Sequence, residues 1–325
     1  MINHEFQTRI QYQGDLQILL QEICRRYGLG DYIGSQVISV GYEDLNIVLT
    51  TGKGKHLVKA FADFRSLEDC QRYVEMMLQV IEAGVHHPKL YQAGEHHLEV
   101  LQLDGAEVRV CVLEYIDGHS FYDLDEQPTK EELGIIASQA AVINQLPLKP
   151  PFVYDSWAVV NILNEYEKKH QYLREADIEM VQQVVDAFSR IDLKSLPYAF
   201  VHGDIIKTNV MRDKDGKIYI LDFSVANYYP RVQELAVLFC DLFFNEKDPS
   251  NFKQCYELGL EEYQRKIKLI SYELEVLPVF VKAAHAMHII CPTFERDVNG
   301  NDSKENAKWL ELGRIGLRFA LQYWS

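Results

Sequence analysis

The eight-residue segment His202–Asn209 constrains this chain more than any other part of its sequence. It follows a short apolar run and precedes a second one, which begins after the turn signal Asp215–Gly216 and leads to Asp222. This order predicts a strand, a loop that carries Asp204 and Asn209, and a β-hairpin that delivers Asp222 at the end of its last strand. Such groups can hold a divalent metal ion against phosphates while one carboxylate orients a hydroxyl. Phosphoryl transfer needs little more from side chains, because its catalysis is mostly positioning and charge neutralisation.

The pattern H-G-D-x-x-x-x-N, followed by an apolar strand ending in Asp-Phe, resembles the aminoglycoside phosphotransferase and choline kinase family, whose members share the protein-kinase-like fold. The resemblance implies an α+β, bilobed fold with a small lobe of antiparallel sheet and helix and a large, mainly helical lobe. It also implies that Asp204 is the catalytic base and that Asn209 and Asp222 bind Mg²⁺. His202 is expected to brace the loop, and Lys207 is grouped with the catalytic residues.

Two positions depart from the pattern of that family. Lys207 occupies a position where Pro or Gly is common, and Ser224 follows the Asp-Phe pair where many members have Gly or Trp. Neither change removes a metal ligand, so the departures bear on the identity of the acceptor. Taken singly, each polar residue could be a turn former or a helix cap. The functional interpretation depends on their joint spacing, their order and the strand between them.

Composition restricts the class of partner. The chain has 325 residues, 47% of them hydrophobic, which suits one bilobed enzyme or two domains with a large core. Its formal net charge of −15 argues against nucleic acid, whose phosphates are bound by Lys and Arg, and mildly favours a cationic acceptor. The alternative interpretation is that the charge merely keeps a cytoplasmic protein soluble.

Cysteine usage and hydropathy bear on the compartment. The six cysteines include no C-x-x-C pair and most lie in apolar segments, so they are expected to be reduced core thiols. The segment Met1–Glu5 is polar, without a basic leader. No stretch approaches the ~18 uninterrupted apolar residues of a membrane helix. These features predict a cytoplasmic protein with no membrane partner.

The first third of the chain is predicted to contain two helices and five strands. The helices are 15–27 and 65–83, and the strands are 36–40, 45–51, 56–61, 98–103 and 107–113. The turn 41–44 could lie over nucleotide phosphates, although it contains only one glycine. A lone lysine in a buried strand is costly unless its charge is used, and the resemblance implies that Lys59 clamps the phosphates, with an exposed edge-strand lysine as the alternative. Asn46 matches a family residue just after the loop, or is a turn residue.

Members of the family keep a glutamate that pairs with the strand lysine. Glu75 and Glu68 lie two turns apart on the predicted helix 65–83 and therefore share a face. Glu82 lies too near the end of that helix. Glu75 is the predicted partner of Lys59 and Glu68 is the alternative. The alternative for either glutamate is that it simply lies on the solvent-exposed face of the helix.

A change of pattern near residue 114 predicts the boundary between two lobes. Residues 1–113 are expected to form the small lobe, 114–118 a hinge and 119–325 the large lobe with the acceptor pocket. In the family, backbone groups at the positions of Glu114 and Ile116 pair with the adenine edge. Backbone contacts leave no side-chain signature, so this prediction rests on position.

Helical patterns dominate the large lobe. The predicted helices are 133–146, 157–172, 178–191, 233–244, 256–270, 274–291 and 304–323. Thr129–Glu132 has the form of a capping box before the first of them, and the resemblance makes Glu234 structural. His285, His288 and Cys291 follow each other at intervals of three on one helix. Zinc accepts such ligands, but no fourth ligand is evident, so lining of the acceptor pocket is preferred.

These observations predict a phosphotransferase that uses ATP, or GTP, and Mg²⁺ to phosphorylate a hydroxyl of a small molecule such as an aminoglycoside, choline or homoserine. It is expected to be a monomer or a homodimer, and the resemblance covers about residues 39–244. A protein kinase is the alternative enzyme, disfavoured because His-Gly-Asp replaces His-Arg-Asp and no A-P-E-like segment follows. A nucleotide-binding regulator without catalysis is disfavoured because the base, both metal ligands and the lysine are all retained.

Overall fold

A computed structural model describes residues 8–10, 12–38 and 44–325 of the chain. These residues separate into two compact units, the first ending at Asp117 and the second beginning at Gly118. The predicted turn 41–44 and the end of the predicted strand 36–40 fall largely on residues 39–43, which lie outside the described residues.

A five-stranded antiparallel sheet is the framework of the first unit. Its strands are β1 (Tyr32–Ile38), β2 (Leu45–Thr51), β3 (Gly54–Ala60), β4 (Leu98–Leu103) and β5 (Ala106–Glu114). Their order in the sheet is β1-β2-β3-β5-β4. The predicted strands agree with these bounds within a few residues, because alternating apolar residues and the turns between them are local signals.

Helix α1 (Leu16–Tyr27) covers one face of this sheet. Asp15 caps its start by accepting a hydrogen bond from Gln17 N at 2.8 Å. The helix ends at Gly28, whose φ of 62° costs a glycine little. Apolar residues at helical spacing on α1 pack against alternate residues of β2 and β3 in one buried cluster. The predicted cover helix is therefore confirmed, and burial of this face is the main stabilising contribution of α1.

Helix α2 (Leu67–Glu82) belongs to the other side of the sheet. Ser66 and Asp69 form a capping box at its start, a favourable contact for the first turn. The neighbours of Lys59 in β3 face the α1 core, so the side chain of Lys59 points away from α1. The ring of Tyr73 on α2 lies 4.9 Å from Lys59 Nζ.

The second unit contains most of the helices and two small antiparallel sheets. The helices are α3 (Phe121–Leu124), α4 (Lys130–Gln145), α5 (Ile162–Lys169), α6 (Glu175–Phe188), α7 (Val232–Cys240), α8 (Phe252–Gln264), α9 (Ser271–Asp297) and α10 (Lys304–Tyr323). The strands are β6 (Gly118–Ser120), β7 (Tyr198–Val201), β8 (Val210–Asp213), β9 (Ile218–Ile220) and β10 (Asn227–Pro230). Strand β8 pairs with β6 and β9, and β7 pairs with β10. The predicted α+β class is confirmed.

Local sequence signals explain where the helices of this unit start. In the capping box before α4, Thr129 N donates to Glu132 Oε2 at 2.7 Å and Glu132 N donates to Thr129 Oγ1 at 3.3 Å. The prediction of one helix over 157–172 is wrong, because only Ile162–Lys169 is α-helical and short 3-10 turns flank it. Hydrogen bonds in the preceding turn span three residues rather than four, so the α-helix starts later.

Helix α9 is the core helix of the second unit. It contains 27 residues, extends beyond the predicted helix 274–291 at both ends, and packs against α5, α6, α7 and α10. By length and composition it could cross a membrane, but 72% of its most apolar window is buried inside the structure. Its apolar surface is thus covered by protein, as expected for a central helix of a helical unit.

Two helix-interior glycines of this unit have very different surroundings. Gly316 on α10 faces His285 of α9, and a Cβ at position 316 would overlap the imidazole ring. His285 is fully buried and has little room to move. A Cβ at Gly134 on α4 would instead lie 3.5 Å from Glu262 Cγ, an ordinary contact with a flexible side chain. Only the first glycine is required for close helix packing.

We therefore predict opposite effects of the same substitution at these sites. Gly316→Ala should destabilise the protein by about 1 to 3 kcal/mol, because the extra methyl group overpacks a rigid contact. Gly134→Ala should be neutral or stabilising by up to about 1 kcal/mol, because alanine has the higher helix propensity. Thermal and urea unfolding of both variants measure the difference. Equal stability of the two variants would contradict the predicted packing of α10 on His285.

Candidate active site

Strand pairing in the second unit brings the two predicted metal ligands together. Val210 of β8 is opposite Ile220 of β9, and the ladder continues with a hydrogen bond from Leu221 N to Asn209 O at 2.8 Å. Asn209 therefore lies beside the residue that precedes Asp222. Because this register is fixed by backbone hydrogen bonds, the spacing of Asn209 and Asp222 along the chain becomes proximity in space.

Asp222 does not end a strand, as the sequence predicted, but lies two residues after β9. Its φ is 63°, in the left-handed region, which few residues other than glycine adopt without strain. Asp222 Oδ1 accepts a hydrogen bond from Ser224 N at 3.1 Å, a local contact of a kind that stabilises aspartate in turns. A turn, not a strand, therefore positions this carboxylate.

Asp204 and Asn209 are joined by two hydrogen bonds. Asn209 Nδ2 donates to Asp204 O at 3.0 Å and to Asp204 Oδ2 at 2.7 Å. The amide nitrogen is thereby committed to Asp204. Within the described parts of the chain, neither Asn209 Oδ1 nor Asp204 Oδ1 accepts a hydrogen bond. One oxygen of each side chain remains available to a ligand.

The surroundings of Asp204 oppose its ionisation. Burial raises the pKa of Asp204 well above its usual value, and the negative charges of Asp155 and then Asp222 raise it further, while the hydrogen bond from Asn209 lowers it. The site thus concentrates carboxylates that repel one another. A cation among them would relieve this repulsion. Asp155 was not identified from the sequence, since a single aspartate in a loop carries no periodic signal.

His202 connects the loop to the end of β9. Its Nδ1 accepts a hydrogen bond from Asp204 N at 3.2 Å, and its Nε2 lies 2.9 Å from Leu221 O. These two partners require a neutral imidazole with the proton on Nε2. Burial agrees with this state, because it lowers the pKa of His202 to about 4. The ring therefore ties Asp204 to the residue next to Asp222.

A buried carboxylate from α7 holds the backbone of the same loop. Glu234 Oε2 accepts a hydrogen bond from His202 N at 2.7 Å, and Oε1 accepts one from Gly203 N at 3.3 Å. Burial raises the pKa of Glu234 to about 7, although the two amides favour its charged form. The resemblance had implied a structural acid here, and these contacts identify what it supports.

Two further residues of this network were missed by sequence analysis. Asn144 Nδ2 donates to Glu234 Oε2 at 3.2 Å and to Phe200 O at 2.9 Å. Tyr263 OH donates to Asn144 Oδ1 at 2.7 Å. Both lie on helices whose apolar periodicity does not indicate a buried polar contact. Their partners are 56 to 119 residues away along the chain. No local signal could have identified them.

Lys207 lies in a second buried polar network behind the loop. Its backbone N donates to Asp241 Oδ1 at 2.7 Å, and its ammonium lies 3.6 Å from Glu246 Oε2. Burial raises the pKa of Asp241, while the charge of Lys207 lowers it. Within the described residues, the Lys207 side chain does not contact Asp204. Its contacts hold the loop in place.

The predicted nucleotide-binding lysine lies in the first unit. Lys59 Nζ lies 3.0 Å from Asp44 Oδ2, and both side chains are almost fully buried. The predicted pair of Lys59 with Glu75 is wrong, and so is the alternative with Glu68, because both glutamates are exposed and neither contacts Lys59 in the described ranges. The inward face of α2 presents Tyr73 to the lysine instead.

Asn46 and the predicted hinge residues also belong to this unit. Asn46 on β2 is directly opposite Lys59 on β3, so both side chains point to the same face of the sheet. Glu114 N donates to Lys89 O at 2.8 Å. The backbone N–H and C=O of Ile116 make no hydrogen bond in the part of the chain that the structure describes. The Ile116 amide is thus available to a ligand, whereas the Glu114 N–H is already used.

The three candidate zinc ligands on α9 do not form a metal site. In the described ranges, no group of three or more His, Cys, Asp or Glu side chains is placed so that it could hold a metal ion. His285 and His288 are buried, and burial lowers their pKa values to about 3 and about 4, so both are neutral. Cys291 Sγ donates to Ser156 O at 3.2 Å. The rings of Trp157 and Trp309 flank His288.

Mg²⁺ fits the donor set of this site. It prefers hard oxygen ligands, and one or two carboxylate or amide oxygens plus substrate phosphates are enough to hold it. Asn209 would supply its uncommitted Oδ1, and Asp222, which follows the residue paired with Asn209, would supply a carboxylate. The repulsion among Asp204, Asp155 and Asp222 is of the kind that a divalent cation reduces.

Comparison with known proteins places the chain in a family. Residues 35–265 match the sequence profile of the phosphotransferase enzyme family, APH. A homoserine kinase from Methylobacillus flagellatus is 21% identical over 223 residues, which are 67% of this chain and 66% of that kinase. The chain thus aligns with slightly less than two thirds of the length of this relative.

Solved structures extend the similarity of the fold to nearly the whole chain. A microcompartment-associated aminopropanol kinase has a TM-score of 0.73 at 14% identity, covering 95% of this chain and 97% of its own. An amicoumacin kinase in complex with AMP-PNP, Ca²⁺ and Ami has a TM-score of 0.68 at 15% identity, covering 98% and 96%. The family match spans well over half of the sequence, and its residues include the loop, the turn and the lysine described above. The chain therefore belongs to the phosphotransferase enzyme family, APH.

Proposed function

We propose that this protein transfers the γ-phosphate of ATP to a hydroxyl group of a small molecule. The observation that carries the proposal is the hydrogen-bonded pair of Asp204 and Asn209 beside Asp222, in a chain that belongs to a family of phosphotransferases. This set provides a carboxylate for the hydroxyl and oxygen ligands for a metal on the phosphates. Phosphoryl transfer depends mainly on such positioning.

Asp204 is the proposed base. Its Oδ2 is held by Asn209, which leaves Oδ1 to accept a hydrogen bond from the acceptor hydroxyl. The oxygen of that hydroxyl bonds to the γ-phosphorus, the bond from the γ-phosphorus to the bridging oxygen breaks, ADP leaves, and the hydroxyl proton passes to Asp204. In a loose transition state the proton is lost late, so orientation of the hydroxyl matters more than the basicity of the carboxylate.

Asn209 Oδ1 and the Asp222 carboxylate are the proposed Mg²⁺ ligands. When bound there, Mg²⁺ would neutralise charge on the phosphates and orient them. Lys59 is the proposed phosphate-binding lysine, and the free backbone groups of Ile116 are proposed to pair with the adenine edge, in the segment 114–118 that we retain as the hinge.

His202 and Lys207 are proposed as positioning residues. His202 fixes Asp204 N relative to Leu221 O, so it sets where the base lies relative to Asp222. Lys207 is anchored to Asp241 and Glu246 and would act through the loop backbone. This changes the role first given to Lys207, from a catalytic residue to one that supports the catalytic residues.

The acceptor is proposed to carry an amine as well as a hydroxyl. Asp155 lies close enough to Asp204 to raise its pKa, and a carboxylate next to the base would attract a cationic group of the acceptor. Relatives named as homoserine kinase and aminopropanol kinase support the same class, since both named compounds are amino alcohols. ATP-consumption assays on hydroxylated metabolites and aminoglycosides test the proposal.

Within such a panel we predict a preference for amines over matched neutral alcohols. Aminopropanol should be phosphorylated with a kcat/KM at least about tenfold higher than propanediol, a difference of ~1.4 kcal/mol, because only the first can pair with a carboxylate. The measurement is steady-state ADP release at saturating Mg²⁺ and ATP. Equal rates for amines and diols across the panel would contradict a cationic acceptor, and ATP turnover with none of the compounds would contradict the proposed function.

For the base, we predict that Asp204→Asn lowers kcat by about 10²-fold or more and changes ATP affinity little. The variant keeps the size of the side chain and one acceptor oxygen but loses the charge that receives the proton. Steady-state rates and a nucleotide titration measure both effects. Asp215→Asn, in the exposed turn of the same hairpin, is the matched control and should behave as wild type. Near-wild-type turnover of Asp204→Asn would remove the assignment.

For the metal, we predict that Asp222→Asn loses most of the Mg²⁺-dependent gain in AMP-PNP affinity. Asparagine tolerates the left-handed conformation of this residue, so the fold should persist while a charged ligand is removed. Calorimetric titrations of AMP-PNP with Mg²⁺ and with EDTA give the gain in affinity for each protein. The gain should be about tenfold smaller in the variant than in wild type, equivalent to ~1.4 kcal/mol. An unchanged gain in the variant would show that Asp222 does not hold the metal.

A further inference from the structure

We infer that Asp44 is the residue that positions Lys59 on the nucleotide phosphates, in place of an acid on helix α2. The inference rests on the proposed function for the role of Lys59, but the pairing itself is independent of it. Nothing in the sequence pattern indicated Asp44, which was expected to be part of a turn before β2.

The contacts of Asp44 fix its carboxylate in one orientation. Its Oδ2 lies 3.0 Å from Lys59 Nζ. Its Oδ1 accepts hydrogen bonds from Ala62 N at 3.0 Å and from Arg65 Nε at 2.9 Å. Charge-assisted hydrogen bonds such as these are short and directional. With Oδ1 held by a backbone amide and a guanidinium, Oδ2 is presented to the lysine.

Burial makes this pair important for the lysine. The side chain of Lys59 is 6% exposed and that of Asp44 is 4% exposed. A buried ammonium is costly without a paired charge, so the Asp44 carboxylate stabilises the charged form of the lysine. The ring of Tyr73, 4.9 Å from Lys59 Nζ, adds a cation–π contact from α2. The helix thus contributes an aromatic face where the family pattern predicts a carboxylate.

Strand register explains why Asp44 can reach the lysine. Residue 46 is directly opposite Lys59 in the β2–β3 ladder, and Asp44 precedes it by two positions. Asp44 lies in the bend immediately before β2, and its backbone leads directly into the strand that pairs with Lys59. The bend before β2 and strand β3 therefore bring the carboxylate and the ammonium together.

The pairing is tested by the chemical reactivity of the Lys59 amine without nucleotide. Brief acetylation followed by peptide mass spectrometry gives the labelling of Lys59 relative to Lys55, an exposed lysine on the same strand. Asp44→Asn should raise this ratio several-fold, and Glu75→Gln should leave it at the wild-type value. An unchanged ratio in Asp44→Asn, or a raised ratio in Glu75→Gln, would overturn the inference. A raised ratio in Glu75→Gln would overturn the inference even if Asp44→Asn does not fold.

The positioning role is tested by a double-mutant cycle on nucleotide affinity. Affinity for AMP-PNP with Mg²⁺ is measured for wild type, Asp44→Asn, Lys59→Met and the double variant. Asp44→Asn should weaken binding about tenfold in the wild-type background and have almost no effect in the Lys59→Met background, because its action passes through the lysine. Equal weakening in both backgrounds would indicate a merely structural residue and overturn the role.

The two arms separate failure of the inference from failure of the proposed function. If wild type binds no AMP-PNP with Mg²⁺, the proposed function fails and with it the role of Asp44 on the phosphates. The labelling ratio still decides whether Asp44 or the helix acid is the partner of Lys59.

Discussion

The hydrogen bond from Leu221 N to Asn209 O, 2.8 Å long, sets the geometry on which the candidate site depends. It extends the β8–β9 ladder by one step beyond its last paired residues, and so brings the end of the polar loop against the turn that carries Asp222. Without it, the thirteen positions from residue 209 to residue 222 would give no fixed distance between Asn209 and Asp222. The left-handed φ of Asp222 is tolerated because the backbone on one side of it is held by this pairing.

Buried carboxylates hold the loop between these points. Glu234 accepts the N–H groups of His202 and Gly203, and Asp241 accepts that of Lys207. Each carboxylate is costly to bury, which is why burial raises both pKa values, and each is compensated by backbone amides that would otherwise lack a partner. The same contacts that make burial tolerable therefore fix the backbone on both sides of Asp204.

The sequence alone predicted those structural elements that local patterns determine. The capping box at Thr129 and the helix Lys304–Tyr323 were correct, because periodicity and capping act within a few residues. The paired placement of Asn209 with Asp204 could be expected from the motif. The partners Asn144 and Asp155 could not, since long-range polar contacts leave no trace in spacing.

The partner of Lys59 illustrates the limit most clearly. Glu75 was selected because a helix acid was expected there, yet it lies on the exposed face of α2, while Tyr73, two positions earlier, is buried. A pair formed across a helix and a sheet depends on where the helix sits, whereas Asp44 and Lys59 are placed by the start of β2, by β3 and by the contacts of Asp44 with Ala62 N and Arg65 Nε. In this protein the position of the lysine is thus set by the sheet and by the segment that follows β3, rather than by an acid on α2.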